Sequence, residues 1–348
     1  MSSPTAGNFD AARLQEIKVR MDALINPNEV KAAEYIPDIA ALKMVQAIQT
    51  IQIPGLDDPL KDNTFKAIWP DNCDDEQPED DPDNSCSIEG AQIGLVSKDF
   101  SLNESFYKTF SVSERKYRSL GSTISFDEEI AINQLKTMKL MDEGWSRRTI
   151  AGLDSMVGVN KNGSPYNVTN PHTEVPAAAW NEDLFTYLAV TKDQNKMPGM
   201  QLFLGGLMQT ALRKIALETS NPTGASAARK VAQLGNVYSD NFLTETVLGH
   251  KAAYLVSPSA LGIVTKAYNI PYGAGREEVA QGNKQIHYTI TSPNSGITYD
   301  VTYQIECVTT SGVKDWLHTW KFSTKGEIVT NAVFCDTDRT GVLKFRCV

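Results

Sequence analysis

The sequence predicts an α+β protein organised around one long helix, and three stretches carry that reading. From Ser125 to Gly158 apolar residues recur at Ile130, Ile132, Leu135, Met138, Met141, Trp145, Ile150, Leu153 and Val157, which fits a 3.6-residue period. Ala252 to Val256 is a short continuous apolar run of the kind that fills a buried strand. Ile286, Tyr288 and Ile290 alternate up to Pro293-Asn294-Ser295-Gly296, and Ile297, Tyr299, Val301, Tyr303, Ile305 and Cys307 alternate after it, so this segment reads as a hairpin with one buried face.

The helix opens with Ser125 and Glu128 in capping-box spacing, where the hydroxyl accepts from an otherwise unpaired backbone N–H. Gly144 lies inside it at a cost of about 1 kcal/mol relative to Ala, so the expectation is one bent helix or two that meet there. A continuous helix from Phe126 to Val157 would be about 48 Å long at about 1.5 Å per residue, a strut for an elongated molecule.

At 348 residues, with 41% hydrophobic and 22% charged side chains, the chain is long enough for two domains and a real core. Its net charge of −9 and lack of a basic domain argue against sequence-directed nucleic-acid binding. The opening MSSPTAGNFDAARLQ lacks the regions of a signal peptide, so synthesis in the cytoplasm is expected. Met200 to Leu212, the most apolar stretch, is too short for the roughly 20 residues of a membrane span. The five cysteines, Cys73, Cys86, Cys307, Cys335 and Cys347, form no CxxC pair and read as free thiols.

In chain order, Leu14, Ile17, Met21 and Leu24 mark one amphipathic helix, and Leu42, Val45 and Ile48 a second. With no large apolar segment beside them, they must dock on the rest of the chain or on another copy, which reads as an N-terminal arm. Removing Asp10 to Ile53 is therefore expected to leave a soluble fold and impair assembly. Asp71 to Asp83 holds eight carboxylates in thirteen positions, a solvated loop without the residue order of a calcium-binding EF-hand. Ala91 to Arg118 is strand-like, aromatic and basic, and reads as an extended hairpin that needs neighbours.

Asn160 to Pro176 reads as loop, Asn181 as the cap of a helix through Leu188, and Met200 to Leu217 as helical or mixed. A helix is expected from Ala225 towards Thr246 and another from Ser259. Trp316, His318 and Trp320 lie on a strand, Lys325-Gly326 reads as a turn, and Leu343, Phe345 and Cys347 as a final strand that ties the C-terminus into a sheet.

Chemistry-bearing motifs are near-misses. Gly158 to Ser164 has the glycine spacing of a phosphate loop without its lysine, and Pro165 obstructs the helix that must follow. Asp336, Asp338 and Thr340 have the spacing of a phosphatase DxDxT, with only eight residues after them, and read as a turn. His172, His250, His287 and His318 have no metal-ligand spacing, no GxSxG elbow is present, and Tyr272 to Gly275 lacks the third glycine of a dinucleotide fingerprint. No catalytic, metal or cofactor-binding residue is assigned and no cofactor is expected. A catalytic site spread over the fold would leave no such motif.

The order of elements, with the stretches VPAAAW (Val175 to Trp180), AAYLVSPSALG (Ala252 to Gly262), GITYDVTYQIEC (Gly296 to Cys307) and GVLKFRCV (Gly341 to Val348), resembles the major capsid protein of tailed bacteriophages, the Hong Kong 97-like fold. The resemblance implies an N-terminal arm over 1–60, an acidic loop and extension loop over 61–124, and a spine helix and peripheral domain over 125–198. It further implies an axial domain over 199–325 and C-terminal strands over 326–348 that return to the peripheral domain.

The implied role is a structural, non-enzymatic subunit that self-assembles into an icosahedral head enclosing double-stranded DNA without reading its sequence. Partners would be other copies in hexamers and pentamers, with scaffold, portal or decoration proteins; the location would be the virion, without a membrane. The implied inter-subunit contacts are Phe100, Phe106, Tyr107, Phe110, Arg115, Lys116, Tyr117 and Arg118, with the aromatics as anchors and the basic residues facing acidic surface on the next copy. The alternatives are a hairpin folded onto its own subunit and, for the whole chain, a nanocompartment shell, another virion protein or a soluble enzyme.

Overall fold

A computed structural model describes residues 11–26, 32–56, 64–70, 95–119, 125–158, 167–169, 171–180, 182–194, 199–209, 235–258, 260–267, 276–280, 283–310, 312–330 and 341–348. The fold is α+β: two six-stranded sheets and a two-stranded ribbon, assembled on one long helix.

Helices α1 (Ala11–Leu24) and α2 (Ala40–Ile48) open the chain. They are followed by strands β1 (Thr64–Pro70), β2 (Leu95–Ser101) and β3 (Glu104–Ser113), and by the short helix α3 (Glu114–Ser119). Helix α4 (Phe126–Ser155) runs 30 residues without interruption through Gly144, about 45 Å at about 1.5 Å per residue. Ser125 caps it as expected, its Oγ accepting from the Glu128 N–H at 3.2 Å.

Next come β4 (Asn167–Thr169), β5 (His172–Val175), α5 (Glu182–Gln194), β6 (Gln201–Leu204), β7 (Val237–Ser239) and α6 (Leu243–Leu248). Strands β8 (Ala252–Val256), β9 (Leu261–Lys266), β10 (Arg276–Ala280), β11 (Asn283–Thr291), β12 (Thr298–Thr310), β13 (Val313–Thr330) and β14 (Val342–Cys347) complete the chain.

The first sheet has the order β10-β11-β12-β13-β3, with β9 also paired to β13. Its inner face, including Ile286, Tyr288, Tyr299, Val301, Tyr303, Trp320 and Phe322, packs with Ile130, Leu135, Met138, Met141 and Trp145 of α4 and with Ile17 and Met21 of α1. The alternation read from Ile286 to Tyr303 is therefore the pleat of a sheet with one covered face.

The second sheet has the order β4-β5-β14-β8-β6-β7 and is covered on both sides. Leu202, Leu204, Ala253, Leu255, Leu343 and Phe345 meet Leu184, Phe185 and Leu188 of α5. Phe203, Ala252, Tyr254, Val256 and Val342 meet Val45 and Ile48 of α2, Ile150 and Leu153 of α4, and Leu243 of α6. Two covered faces explain why β8 is apolar at every position instead of alternating.

Several expectations are corrected. Of the two dockings left open for the arm helices, on their own chain or on another copy, α2 shows the first: Ala41, Leu42, Met44, Val45 and Ile48 are all buried, so what is corrected is only the expectation that this helix can be removed without loss of the subunit core. Ala91 to Arg118 is not a hairpin, because β2 pairs with β1 while β3 pairs with β13, some two hundred residues downstream. Lys325-Gly326 is not a turn, since β13 passes straight through it. Gly326 is needed there because an added Cβ would lie 2.4 Å from both the Trp145 ring and the Val264 carbonyl oxygen.

The segment after Ser259 is strand β9 instead of a helix, Tyr238 lies on β7, and strands β4 and β5 occupy part of the expected loop before Pro176, while Gln201–Leu204 is a strand followed by a helical turn at Gly206–Met208, the mixed option for that stretch. Strand β13 lies within the sheet under α4, whereas β14 sits between β5 and β8 in the second sheet. The acidic run Asp71 to Asp83, the pair Asp336 and Asp338, Tyr272 to Gly275, and Cys73, Cys86 and Cys335 lie outside the described residues. Cys307 and Cys347 are free thiols.

Candidate assembly surfaces

Helix α4 is fixed to both sheets by carboxylates on its buried side. Asp142 accepts hydrogen bonds from Ser292 Oγ at 2.6 Å, Ser295 Oγ at 2.6 Å and Tyr299 O–H at 2.5 Å, which ties mid-helix to the β11–β12 turn. Burial raises the Asp142 carboxyl above the usual range, and the three hydroxyls offset part of that rise. Three turns on, Asp154 takes the Tyr254 O–H at 2.8 Å and pairs with Lys344, joining the helix end to β8 and β14.

At Gly144 strand β3 crosses the helix. The Phe106 ring lies where a Gly144 side chain would be, 2.9 Å from an ideal Cβ. It packs against Trp145 at 5.2 Å and under the Arg148 guanidinium at 4.1 Å, and Arg148 also pairs with Glu104 at 2.6 Å. The glycine that reads as a weak point is thus the seat of a strand.

Strands β1 and β2 form a ribbon paired from Thr64↔Ser101 to Pro70↔Leu95. Its inner side is anchored, with Phe65, Ala67 and Trp69 buried against Leu102, Val264 and Val329. Its last described pair is joined by residues 71–94, which carry the acidic run. Connections that long within a compact fold usually have a function of their own.

The residues singled out from sequence divide by environment. Phe106 and Phe110 are half-buried in their own subunit, Phe110 stacked on Trp320 at 5.0 Å, and Phe100 packs by Phe65 at 6.1 Å. Tyr107 is 65% exposed, with Lys321 Nζ 4.8 Å from its ring centre. Arg115 and Lys116 are exposed; the Arg115 backbone N–H donates to Asp315 and Lys116 pairs with Glu129 at 3.1 Å. The side chains of Tyr117 and Arg118 lie outside the described set.

Two features had no sequence signal. His318 is buried between Tyr303, whose hydroxyl is 2.7 Å from Nδ1, and Glu114, 2.9 Å from Nε2. Burial holds its pKa below the usual value despite the Glu114 carboxylate, which fits a neutral ring that donates to Glu114 and accepts from Tyr303. Phe242 is 57% exposed in a left-handed backbone conformation, φ 116°. Among the described residues no group of His, Cys, Asp and Glu is placed to hold a metal ion, and no helix is long and apolar enough to cross a membrane.

No family model and no curated protein matches the chain. It is similar to solved structures of phage and related particles. A chain of Mycobacterium phage Adephagia is 12% identical, with 95% of this chain and 97% of that one covered and a TM-score of 0.44. The capsid of Cyanophage P-SCSP1u is 6% identical over 83% of this chain and 84% of that one, also at 0.44. The capsid of the native GTA particle is 11% identical over 89% and 90%, at 0.40.

Proposed function

We propose that this chain is the structural subunit of an icosahedral shell of the tailed-phage head type. The observation that carries the reading is the placement of elements around α4. One uninterrupted 30-residue helix is clamped to two separate sheets, crossed at Gly144 by the strand that leads out of a two-stranded ribbon. A ribbon of two strands is marginal alone and gains stability from a surface beyond its own pair. Its inner side has that surface in its own subunit, at Val264 and Val329, while the outer side, with Thr64, Lys66 and Ser97 exposed, is left for neighbouring copies in a shell. Strands β1 and β2 belong to the extension loop in this reading.

The role is structural, in hexamers and pentamers of a virion head made in the host cytoplasm. The enclosed cargo is double-stranded DNA held without sequence readout, for which a net charge of −9 suits release better than a basic lining would. The same reading assigns the two sheets to parts of the shell subunit. The sheet under α4 corresponds to the peripheral part, and the sheet containing β8 and β14 to the axial part.

Expression of the full chain, alone and with a scaffold from its own source, followed by negative-stain electron microscopy tests this. Closed shells or capsomer rings are expected, and double-stranded DNA in native particles separates a phage head from a nanocompartment. A uniform monomer under all conditions would overturn the proposal.

A further inference from the structure

Among the described residues Phe242 is the one non-glycine with a positive φ, and a bulky side chain is a genuine outlier there. The surrounding structure holds it in place. The buried Asp240 carboxylate accepts from the Phe242 N–H at 3.2 Å and the Thr244 N–H at 2.7 Å, and it also takes the Thr244 hydroxyl. From the other side the Asp38 carboxylate accepts from the Asn241 N–H at 2.7 Å. Beneath the loop Gly206 leaves so little room that a Cβ there would be 2.5 Å from Phe242 N. All this keeps in place an aromatic ring that is 57% exposed and contributes little to its own subunit's core.

The surroundings of that ring are apolar at one point and acidic around it. Ile36, two residues before Asp38, is 60% exposed. Burial raises the Asp38 carboxyl, the Asn241 N–H offsets part of that rise, and the negative charges of Asp240, Glu143 and Glu245 add to it. Asp240 is fully buried, so the acidic surround that a partner can reach is the half-buried Asp38, Glu143 and Glu245. Glu143 also accepts from the Asp38 N–H at 3.4 Å, which places this patch beside α4.

A complementary surface exists elsewhere on the same chain. Strand β3 ends the order of the first sheet, with β13 as its neighbour on one side, so its outer edge is open among the described residues. Beside that edge Tyr107 is 65% exposed on the outer face of the sheet with Lys321 over its ring, whereas Lys108 is on the opposite face, that of Phe106 and Phe110. An exposed aromatic ring with a lysine over it matches an exposed aromatic ring with carboxylates in both charge and chemistry.

We propose that Phe242 and its acidic surround on one copy dock against Tyr107 and Lys321 at the β3 edge of the next copy. Because the two patches differ, the contact is heterologous, the kind that forms a ring when its rotation closes. The inference rests on the shell reading and names one of its subunit contacts.

The test uses the full chain in sedimentation velocity over a concentration series. Phe242→Gly, which removes both the ring and the strain, should raise the concentration for half-assembly by about tenfold or more while the melting temperature of the unassembled subunit stays level or rises. Lys321→Glu should shift assembly in the same direction. Adding Asn241→Lys to it, beside Phe242 on the opposite patch, should return assembly to within about threefold of wild type.

If Phe242→Gly or Lys321→Glu assembles like wild type, or if Asn241→Lys gives no rescue, the contact is refuted while the shell reading stands. A wild-type chain that never assembles would refute both.

Discussion

Gly326→Ala is the sharpest test of how the spine helix sits on its sheet. A methyl at this position would come 2.4 Å from the Trp145 ring and 2.4 Å from the Val264 carbonyl oxygen, whereas ordinary contact is 3.4–4 Å. Neither neighbour can yield by rotating a free end. Trp145 is buried beneath Phe106, and the Val264 carbonyl belongs to β9, whose pairing with β13 includes Gly326↔Thr265.

Overpacking by one methyl costs roughly 1–3 kcal/mol, and spreading the strand pair weakens a hydrogen bond worth about 1 kcal/mol. Replacing a strand glycine returns about 0.5–1 kcal/mol of chain entropy. The net loss is about 1–3.5 kcal/mol, or a fall of about 1–5 °C in the melting temperature of the unassembled subunit at this chain length.

Gly152→Ala is the control. Its Cβ would meet the Cγ2 methyl of Ile328 at 2.9 Å, which costs roughly 1–3 kcal/mol at a stiff β-branched side chain, and the helix gains up to about 1 kcal/mol, so a smaller loss of about 0–2 kcal/mol is expected. Urea titration of both variants reads the difference. A Gly326→Ala protein as stable as wild type would refute the close packing of β13 under α4.

Asp142→Ala leaves the Ser292, Ser295 and Tyr299 hydroxyls without their common acceptor and should cost about 3 kcal/mol or more in urea midpoint analysis; a loss below about 1 kcal/mol would mean that the β11–β12 turn is held by other contacts. For Asp154, burial pushes the carboxyl up, but hydrogen bonds from Lys344 and Tyr254 and the charge of Lys344 outweigh it, and the pKa lies below the ordinary value. A lowered carboxyl stabilises above the unfolded pKa and loses that contribution as pH falls through the folded one. Asp154→Asn should therefore be less stable than wild type at neutral pH, with the gap narrowing as pH drops from about 5 to about 3, and a gap independent of pH would refute the pairing. Truncation before Ala32 removes α1 alone and should leave a folded but weakened subunit, whereas truncation through Ile53 also removes the buried α2 and should abolish folding as judged by circular dichroism.

Much of the fold was legible where its causes are local. Ser125 and Glu128 define the start of α4 through a cap three residues long, and the hairpin from Ile286 to Cys307 shows its buried face because both strands and their turn are contiguous. The run at Ala252 to Val256 announced a strand covered on both faces. What stayed hidden depends on partners far away in sequence. Gly326 reads as a turn until Trp145 and the Val264 carbonyl are seen against it, and β3 reads as half of a hairpin because its true partner, β13, lies some two hundred residues on.

The candidate surfaces follow the same division. Tyr107 stood out as part of an aromatic and basic stretch, but its half-buried neighbours Phe106 and Phe110 look identical to it in sequence, and only the sheet decides which of them faces solvent. Phe242 gave no signal at all. Its backbone is set by Asp240 and Asp38, the latter two hundred residues upstream, and no local pattern encodes that clamp.

The central claim is that copies of this chain build a shell. Its most direct measurement is the mass distribution of the purified full chain across a concentration series, by sedimentation velocity with electron microscopy of the fast-sedimenting fraction. Capsomer rings or closed particles of uniform diameter are predicted, and a single monomer or dimer boundary at every concentration, with and without scaffold, would contradict the account.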